Sequence, residues 1–379
     1  MTTPGERVTT LMRRPGKVLG VAVIEDFGLA WSRVCGGPPD TLFQAGSISK
    51  PVTALAALEL AARGELDLDA DVNGWLTGWQ LPGPGGVSPR DLLGHTSGLG
   101  VPFYPGYSQG ADAPTLRQSL DGAPPAATKP VEATATRGRF RYSGGGYTVI
   151  QQLITDVTGR PFAEVAQDLV LGPLGMTSST FAQPLPADLR RKAARPDWHV
   201  YPESAAAGLW TTAEDLARFA CAIAAAGAAA GAAGSAAGAG RGSPVGPDVA
   251  AQLLSARTAV PVRGEFMILP LLGMARPQTC GLGMFGFGDG RFGHIGGASS
   301  FFSVLVASAK DGGGAVVMTA SNPSPFVFRL LRAISAERGW TGFRPTAWPG
   351  RPGRGGRGGA RSVARVTCTM RSRSLHLAD

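Results

Sequence analysis

Between positions 51 and 63, apolar side chains recur at Val52, Leu55, Leu58 and Leu60, the spacing of one helix face. The stretch is rich in Ala, Leu and Glu, which favour helix. Gly64 stands where a left-handed residue ends such a helix. Upstream, 18–24 and 29–35 read as two β-strands joined by a turn at Glu25-Asp26-Phe27-Gly28. Downstream, Ser88 followed by Pro89 marks a capped helix start. A further amphipathic helix is expected over 147–158, and another begins at Thr212 and runs through Phe219. Strand patterns return at 285–287, 300–308 and 315–320, before a closing helix over 325–338. Strands from both chain ends with a helical stretch between them predict an α+β fold: a mainly antiparallel sheet flanked by helices, with a mostly helical insertion over about 70–215.

Two segments depart from this pattern. Residues 222–242 are almost wholly Ala and Gly. Alanine favours helix, but each glycine costs about 1 kcal/mol and no large apolar stripe is present to dock. The segment therefore reads as a helix tail running into a flexible insertion over about 222–243. After Trp340 the Gly, Arg and Pro content cannot support a core, so 344–379 is expected to be a disordered tail on a domain spanning 1–343.

That tail changes the meaning of the charge. The chain of 379 residues carries a formal +9, but positions 338 to 379 hold nine arginines and one acid. Eight of the nine excess charges therefore sit there, and the rest of the chain is near neutral. A specific nucleic-acid partner is not expected of the folded part. No run approaches the ~18–20 apolar residues of a membrane span. The first sixteen residues are polar and lack the apolar core of a secretory signal, so a cytoplasmic location is expected. Cys35, Cys221, Cys280 and Cys368 are scattered without ligand spacing. They read as free thiols, and neither a metal nor another cofactor is expected.

Candidate chemistry begins at Ser47-Ile48-Ser49-Lys50. If Ser47 opens the helix, Lys50 lies one turn on, on the same face. A neutral lysine amine can take the serine proton, and the helix start disfavours ammonium while offering N–H groups to an oxyanion. Alone, the spacing suits a capped surface helix equally well. Tyr142-Ser143-Gly144 precedes the 147–158 helix, and its phenol could share a proton with Ser47 and Lys50 or could simply pack in the core. His294-Ile295-Gly296-Gly297 reads as a glycine-rich turn in which substrate can approach the backbone. Two motif matches lack their structural context. Gly281 to Gly286 fits GxGxxG without a strand–helix unit, and Gly106 to Gly110 fits GxSxG around Ser108 but is flanked by Pro102, Pro105 and Pro114.

The order Ser-x-x-Lys, Tyr-Ser-Gly, His-x-Gly-Gly resembles the serine β-lactamase-like hydrolases, in the branch of class C β-lactamases, D-amino-peptidases and esterases. Leu92-Leu93-Gly94-His95-Thr96-Ser97-Gly98-Leu99, the segment from Gly208 to Ala217, and Gly172-Pro173-Leu174-Gly175-Met176 are similar to further segments of that family. The resemblance implies a β-lactamase/transpeptidase-like fold and a covalent acyl-enzyme. It makes Ser47 the nucleophile, Lys50 its base and Tyr142 a proton-transfer partner. His294 would orient substrate and protons, with Gly144, Gly296 and Gly297 beside it. The oxyanion would be held by the N–H of Ser47 and of a residue on the strand after Gly297, while His95 and Ser97 would be structural. The family's Tyr-x-Asn ends here in Gly144, and a histidine stands where the branch often has lysine. Both tilt the expectation toward a small ester or amide as substrate. A β-lactam or D-amino-acid peptide is the alternative; an acyltransferase and a catalytically silent binding module of the same fold are others.

Overall fold

The computed structural model describes residues 3–13, 18–134, 136–232, 243–261, 276–288 and 290–340. All belong to the compact unit Met1–Pro345, and the expected tail over 344–379 lies outside them. Its centre is an eight-stranded antiparallel sheet in which two adjacent strands come from opposite chain ends. Strand β1 (Leu19–Glu25) pairs with β12 (Gly314–Thr319), Val21 opposite Val317. The remaining order is β2 (Gly28–Cys35) on one side, then β11 (Phe301–Ser308), β10 (Arg291–Ala298), β9 (Phe285–Gly288), β8 (Thr279–Cys280) and β7 (Thr258–Ala259) on the other.

Both faces of the sheet are covered, which explains why its strands read as continuous apolar runs. Ala22, Ile24, Leu305, Val316 and Met318 point into one core. Their neighbours Val21, Val23, Val304, Val306 and Val317 point into a second one. The first is closed by the long helix α8 (Ala213–Gly231), the second by α1 (Glu6–Met12) and α10 (Pro325–Glu337). Helix α1 sits in the stretch read from sequence only as polar. Its cap comes from the far end of the chain: the Glu337 carboxylate accepts the N–H groups of Gly5 and Val8, both at 3.1 Å.

Helix α8 runs through Phe219 and on to Gly231, and the alanine-rich stretch expected to lack a docking stripe buries Ala222, Ile223, Ala224 and Ala226. Small residues serve as the docking stripe, because they let α9 (Pro247–Leu254) come close. A Cβ on Gly227 would lie 2.6 Å from a Leu254 methyl. Residues 233–242 lie outside the described residues.

Between β2 and α8 lies the helical layer: α2 (Ser49–Ala62), α3 (Pro89–Leu93), α4 (Leu116–Asp121), α5 (Gly144–Thr158), α6 (Phe162–Ala166) and α7 (Ser204–Ala207). Ser88 caps α3 in a reciprocal pair with Asp91, and Gly64 takes the left-handed conformation after α2, as their spacing predicts. Two short ladders tie this layer together: β3 (Phe43–Gln44) with β6 (Trp210–Thr211), and β4 (Tyr107–Ser108) with β5 (His199–Val200). Helix α2 is buried on nearly every side, so its first turn is held from the sheet and from the helices at once. Among the described residues no helix is long and apolar enough to cross a membrane.

Candidate active site

Ser47 sits in a tight 3-10 turn, Gly46–Ile48, that runs directly into α2. Gly46 has φ +54°, which a glycine adopts without strain. The turn is fixed from behind by Ser49, whose hydroxyl donates to the Gly46 carbonyl at 2.6 Å and accepts the Leu209 N–H at 3.0 Å. The Ala45 N–H donates to the Leu209 carbonyl at 2.9 Å. Ser47 is partly exposed, whereas Ser49 and Lys50 are buried.

The sheet presses on this turn through β10. A Cβ on Gly296 would lie 1.8 Å from the Ala45 carbonyl oxygen and 3.1 Å from the Ser47 nitrogen. A Cβ on Gly46 would lie 2.8 Å from the Gly297 nitrogen. Only glycine permits backbone to meet backbone at this distance. One expectation is corrected here: His294 to Gly297 lie near the end of strand β10 rather than in a turn before a strand. Gly297 is exposed, with open space where a side chain would be.

Lys50 Nζ lies 3.2 Å from Ser47 Oγ and donates to the Ala206 carbonyl at 2.8 Å. Burial lowers its pKa from 10.5 to about 7, so roughly half of these amines are neutral near pH 7. The desolvation comes from aromatic rings: Nζ stands 5.0 Å from the Tyr142 ring centroid and 5.7 Å from that of Tyr147. Tyr147 is itself anchored, its hydroxyl donating to the Leu93 carbonyl at 3.0 Å. When Lys50 is charged, the ring faces attract it; when neutral, its nitrogen can accept the serine proton.

Tyr142 ends the loop before α5, buried among His95, Phe103, Phe285 and His294, with centroid distances of 4.6 to 6.3 Å. His294 is buried and stacks on Phe285 at 4.7 Å. Its Nδ1 lies 2.8 Å from the Ile295 carbonyl. A carbonyl only accepts, so Nδ1 carries the proton, and Nε2 has no partner among the described residues. Burial, with the Lys50 charge adding to it, lowers its pKa to about 3. The imidazole is neutral at any physiological pH, and it adds no cation to the site.

Gly144 is also buried, at the first turn of α5. A Cβ there would lie 3.0 Å from the Pro102 carbonyl oxygen and 3.1 Å from the Tyr104 ring. The 100–104 loop therefore occupies the space an asparagine side chain would need, and Gly144 faces that loop. The two sequence decoys stay apart from the site chemistry. Ser108 is exposed on the β4–β5 ladder with no helix directly after it, and Gly281 to Met284 form the tight β8–β9 connection, the Gly281 N–H donating to the Met284 carbonyl at 2.8 Å. Sequence reasoning missed the Ala206 carbonyl, a main-chain group without a side-chain signature. It also missed the Ser49 hydroxyl, visible only as a second serine in the motif. Among the described residues no three His, Cys, Asp or Glu side chains converge as a metal site would.

Comparison with known proteins identifies the family. Esterase EstB of Burkholderia gladioli is 34% identical over 171 residues, which is 42% of this chain and 43% of that protein. Penicillin-binding protein 4* of Bacillus subtilis is 29% identical over 152 residues, covering 37% and 30% of the two chains. The chain thus spans less than half the length of these curated relatives. The D-amino acid amidase of Ochrobactrum anthropi SV3, solved with L-phenylalanine amide, superposes with a TM-score of 0.66 at 18% identity, over 87% of this chain and 98% of that one. It supports the fold alone. The Beta-lactamase family model matches residues 6–339, nearly the whole described unit with its serine, lysine and tyrosine, and the chain belongs to that family.

Proposed function

We propose that this chain is a serine hydrolase that cleaves a small ester or amide through a covalent acyl-enzyme on Ser47. The observation that carries the reading is Lys50, 3.2 Å from Ser47 Oγ with its pKa lowered to about 7 by burial. In the first step the neutral Lys50 amine takes the Oγ proton as Oγ bonds to the substrate carbonyl carbon. The negative oxygen that forms is held by backbone N–H groups at Ser47 and Gly297. The bond to the leaving alcohol or amine then breaks, and that group takes a proton from the Lys50–Tyr142 pair. Water attacks the acyl-enzyme by the same route in reverse, which releases the acid and restores Ser47.

An ester is favoured over a β-lactam or a D-amino-acid peptide by two features. The neutral His294 offers no charge to a substrate carboxylate, and the loop over Gly144 stands where an amide-binding side chain would project. Esterase EstB shares this preference in name. The β-lactam or peptide reading draws on the penicillin-binding relative. The test is p-nitrophenyl butyrate turnover beside nitrocefin turnover, for wild type and Ser47→Ala, with fluorophosphonate labelling of both. Ester turnover and labelling that vanish together in Ser47→Ala are expected. Unchanged turnover in Ser47→Ala sinks the assignment, and nitrocefin turned over faster than the ester shifts it to the lactam reading.

A further inference from the structure

We propose that His95 is a positioning residue for Tyr142, holding the tyrosine's loop from both sides; the proposal rests on the proton-transfer role given to Tyr142 above. The residues before and after Tyr142 are both bonded to His95. The Arg141 N–H donates to the His95 carbonyl at 2.8 Å, and the Ser143 N–H donates to His95 Nδ1 at 3.1 Å. Between these bonds the imidazole lies against the phenol ring, centroids 4.6 Å apart and planes at 38°. Ser143 carries the restraint onward. Its hydroxyl caps α5 by accepting the Gly146 N–H at 3.0 Å and donates to the Gly100 carbonyl at 2.7 Å. Tyr142 is thus fixed relative to α5 and to the 95–100 loop by one side chain and one carbonyl.

The chemistry of the grip sets its protonation state. An N–H can only donate, so Nδ1 must present its lone pair to Ser143, and Nε2 carries the hydrogen. Charging the ring would place a proton on Nδ1 and break the bond. The ring's surroundings oppose that: it is 1% exposed, and Lys50 and His294 face the same cluster of rings. His95 also has φ +57°, a conformation that costs a side chain other than Gly, Asn or Asp.

Asparagine and glycine both tolerate this φ, but only asparagine places an acceptor oxygen where Nδ1 stands. His95→Gly is therefore expected to lower kcat for p-nitrophenyl butyrate by about 10- to 100-fold with KM within about twofold, as expected for a misplaced catalytic group. His95→Asn is expected to restore kcat to within a few-fold of wild type. In a Tyr142→Phe background, His95→Gly is expected to cost little further, because both changes act through one hydroxyl. Wild-type kcat in His95→Gly alongside a large loss in Tyr142→Phe overturns the positioning role alone, as does an equal loss in the two backgrounds. Unchanged kcat in Tyr142→Phe overturns the role of Tyr142 itself and takes the positioning role with it. If His95→Gly fails to fold, NMR of histidine-labelled wild type decides. The Nε2-protonated neutral tautomer at His95 between pH 5 and 8, identified by its absence in His95→Asn, is expected; a proton on Nδ1 refutes the grip.

Discussion

Replacing Lys50 by methionine removes a titrating group from a buried position while keeping an unbranched chain of similar length. In the folded protein the ammonium has been pulled down to about 7 from 10.5, and in the unfolded chain it returns to the higher value. The folded value is the lower one, so between pH 7 and 10.5 the unfolded chain holds more protons. Stability therefore rises with pH across that window, and the whole penalty is present below about pH 7. At 1.36 kcal/mol per pH unit, the penalty at pH 7 is on the order of 4 kcal/mol, of which about 2 kcal/mol is recovered by pH 9. The lost bond to the Ala206 carbonyl costs about 1 kcal/mol at every pH, so it shifts the comparison without changing its slope. Urea unfolding of both proteins at pH 7, 8 and 9 tests this. Lys50→Met should be more stable by about 3 kcal/mol at pH 7, with the advantage shrinking to about 1 kcal/mol at pH 9, and should be inactive. The same pH dependence in both proteins, or a less stable variant at pH 7, would refute the view that Lys50 is held near neutrality by burial.

Activity should follow the same group. The pH profile of kcat/KM for a neutral ester should rise with an apparent pKa near 7, because only the unprotonated Lys50 accepts the serine proton; a profile flat from pH 5 to 9 counts against it. Gly296→Ala should destabilise the fold by roughly 3 kcal/mol or more and abolish fluorophosphonate labelling, since its methyl would overlap the Ala45 carbonyl; wild-type labelling and melting temperature would contradict the backbone contact. Glu337→Ala should speed amide hydrogen exchange in α1 and cost about 1 kcal/mol, because it removes both cap acceptors; unchanged exchange would show that α1 is held by packing alone.

The elements legible in the sequence were those whose signals are local. The strands at 19–25 and 28–35, the caps at Ser88 and Thr212, and the glycine after α2 all act within a few residues. Ser47 and Lys50 were legible because one helical turn is enough to bring them together. The features that escaped depend on distant partners. Helix α1 is capped by a carboxylate more than 300 residues away. Strand β10 hides behind its glycines, which weaken a strand by propensity, and Gly296 is required because the Ser47 turn lies on top of it. The alanine-rich half of α8 lacks large apolar residues because its neighbour comes so close. His95 looked structural in sequence, and its two bonds around Tyr142 appear only when the loop is folded.

The pairing of β1 with β12 sets a timetable for the newly made chain. Leu19 meets Cys35 of β2 early, but its β12 partner Thr319 exists only when the sheet's far end has been synthesised, and at about 5–20 residues per second this delay is roughly 15–60 s. Throughout it, β1 has its hairpin neighbour β2 on one edge but nothing on the other. Contacts of such long sequence separation also slow folding itself. The Ser47 turn shares the wait, since the glycines of β10 that lie against it arrive almost as late. The helical layer can gather early, but the backbone around Ser47 is complete only as the sheet closes.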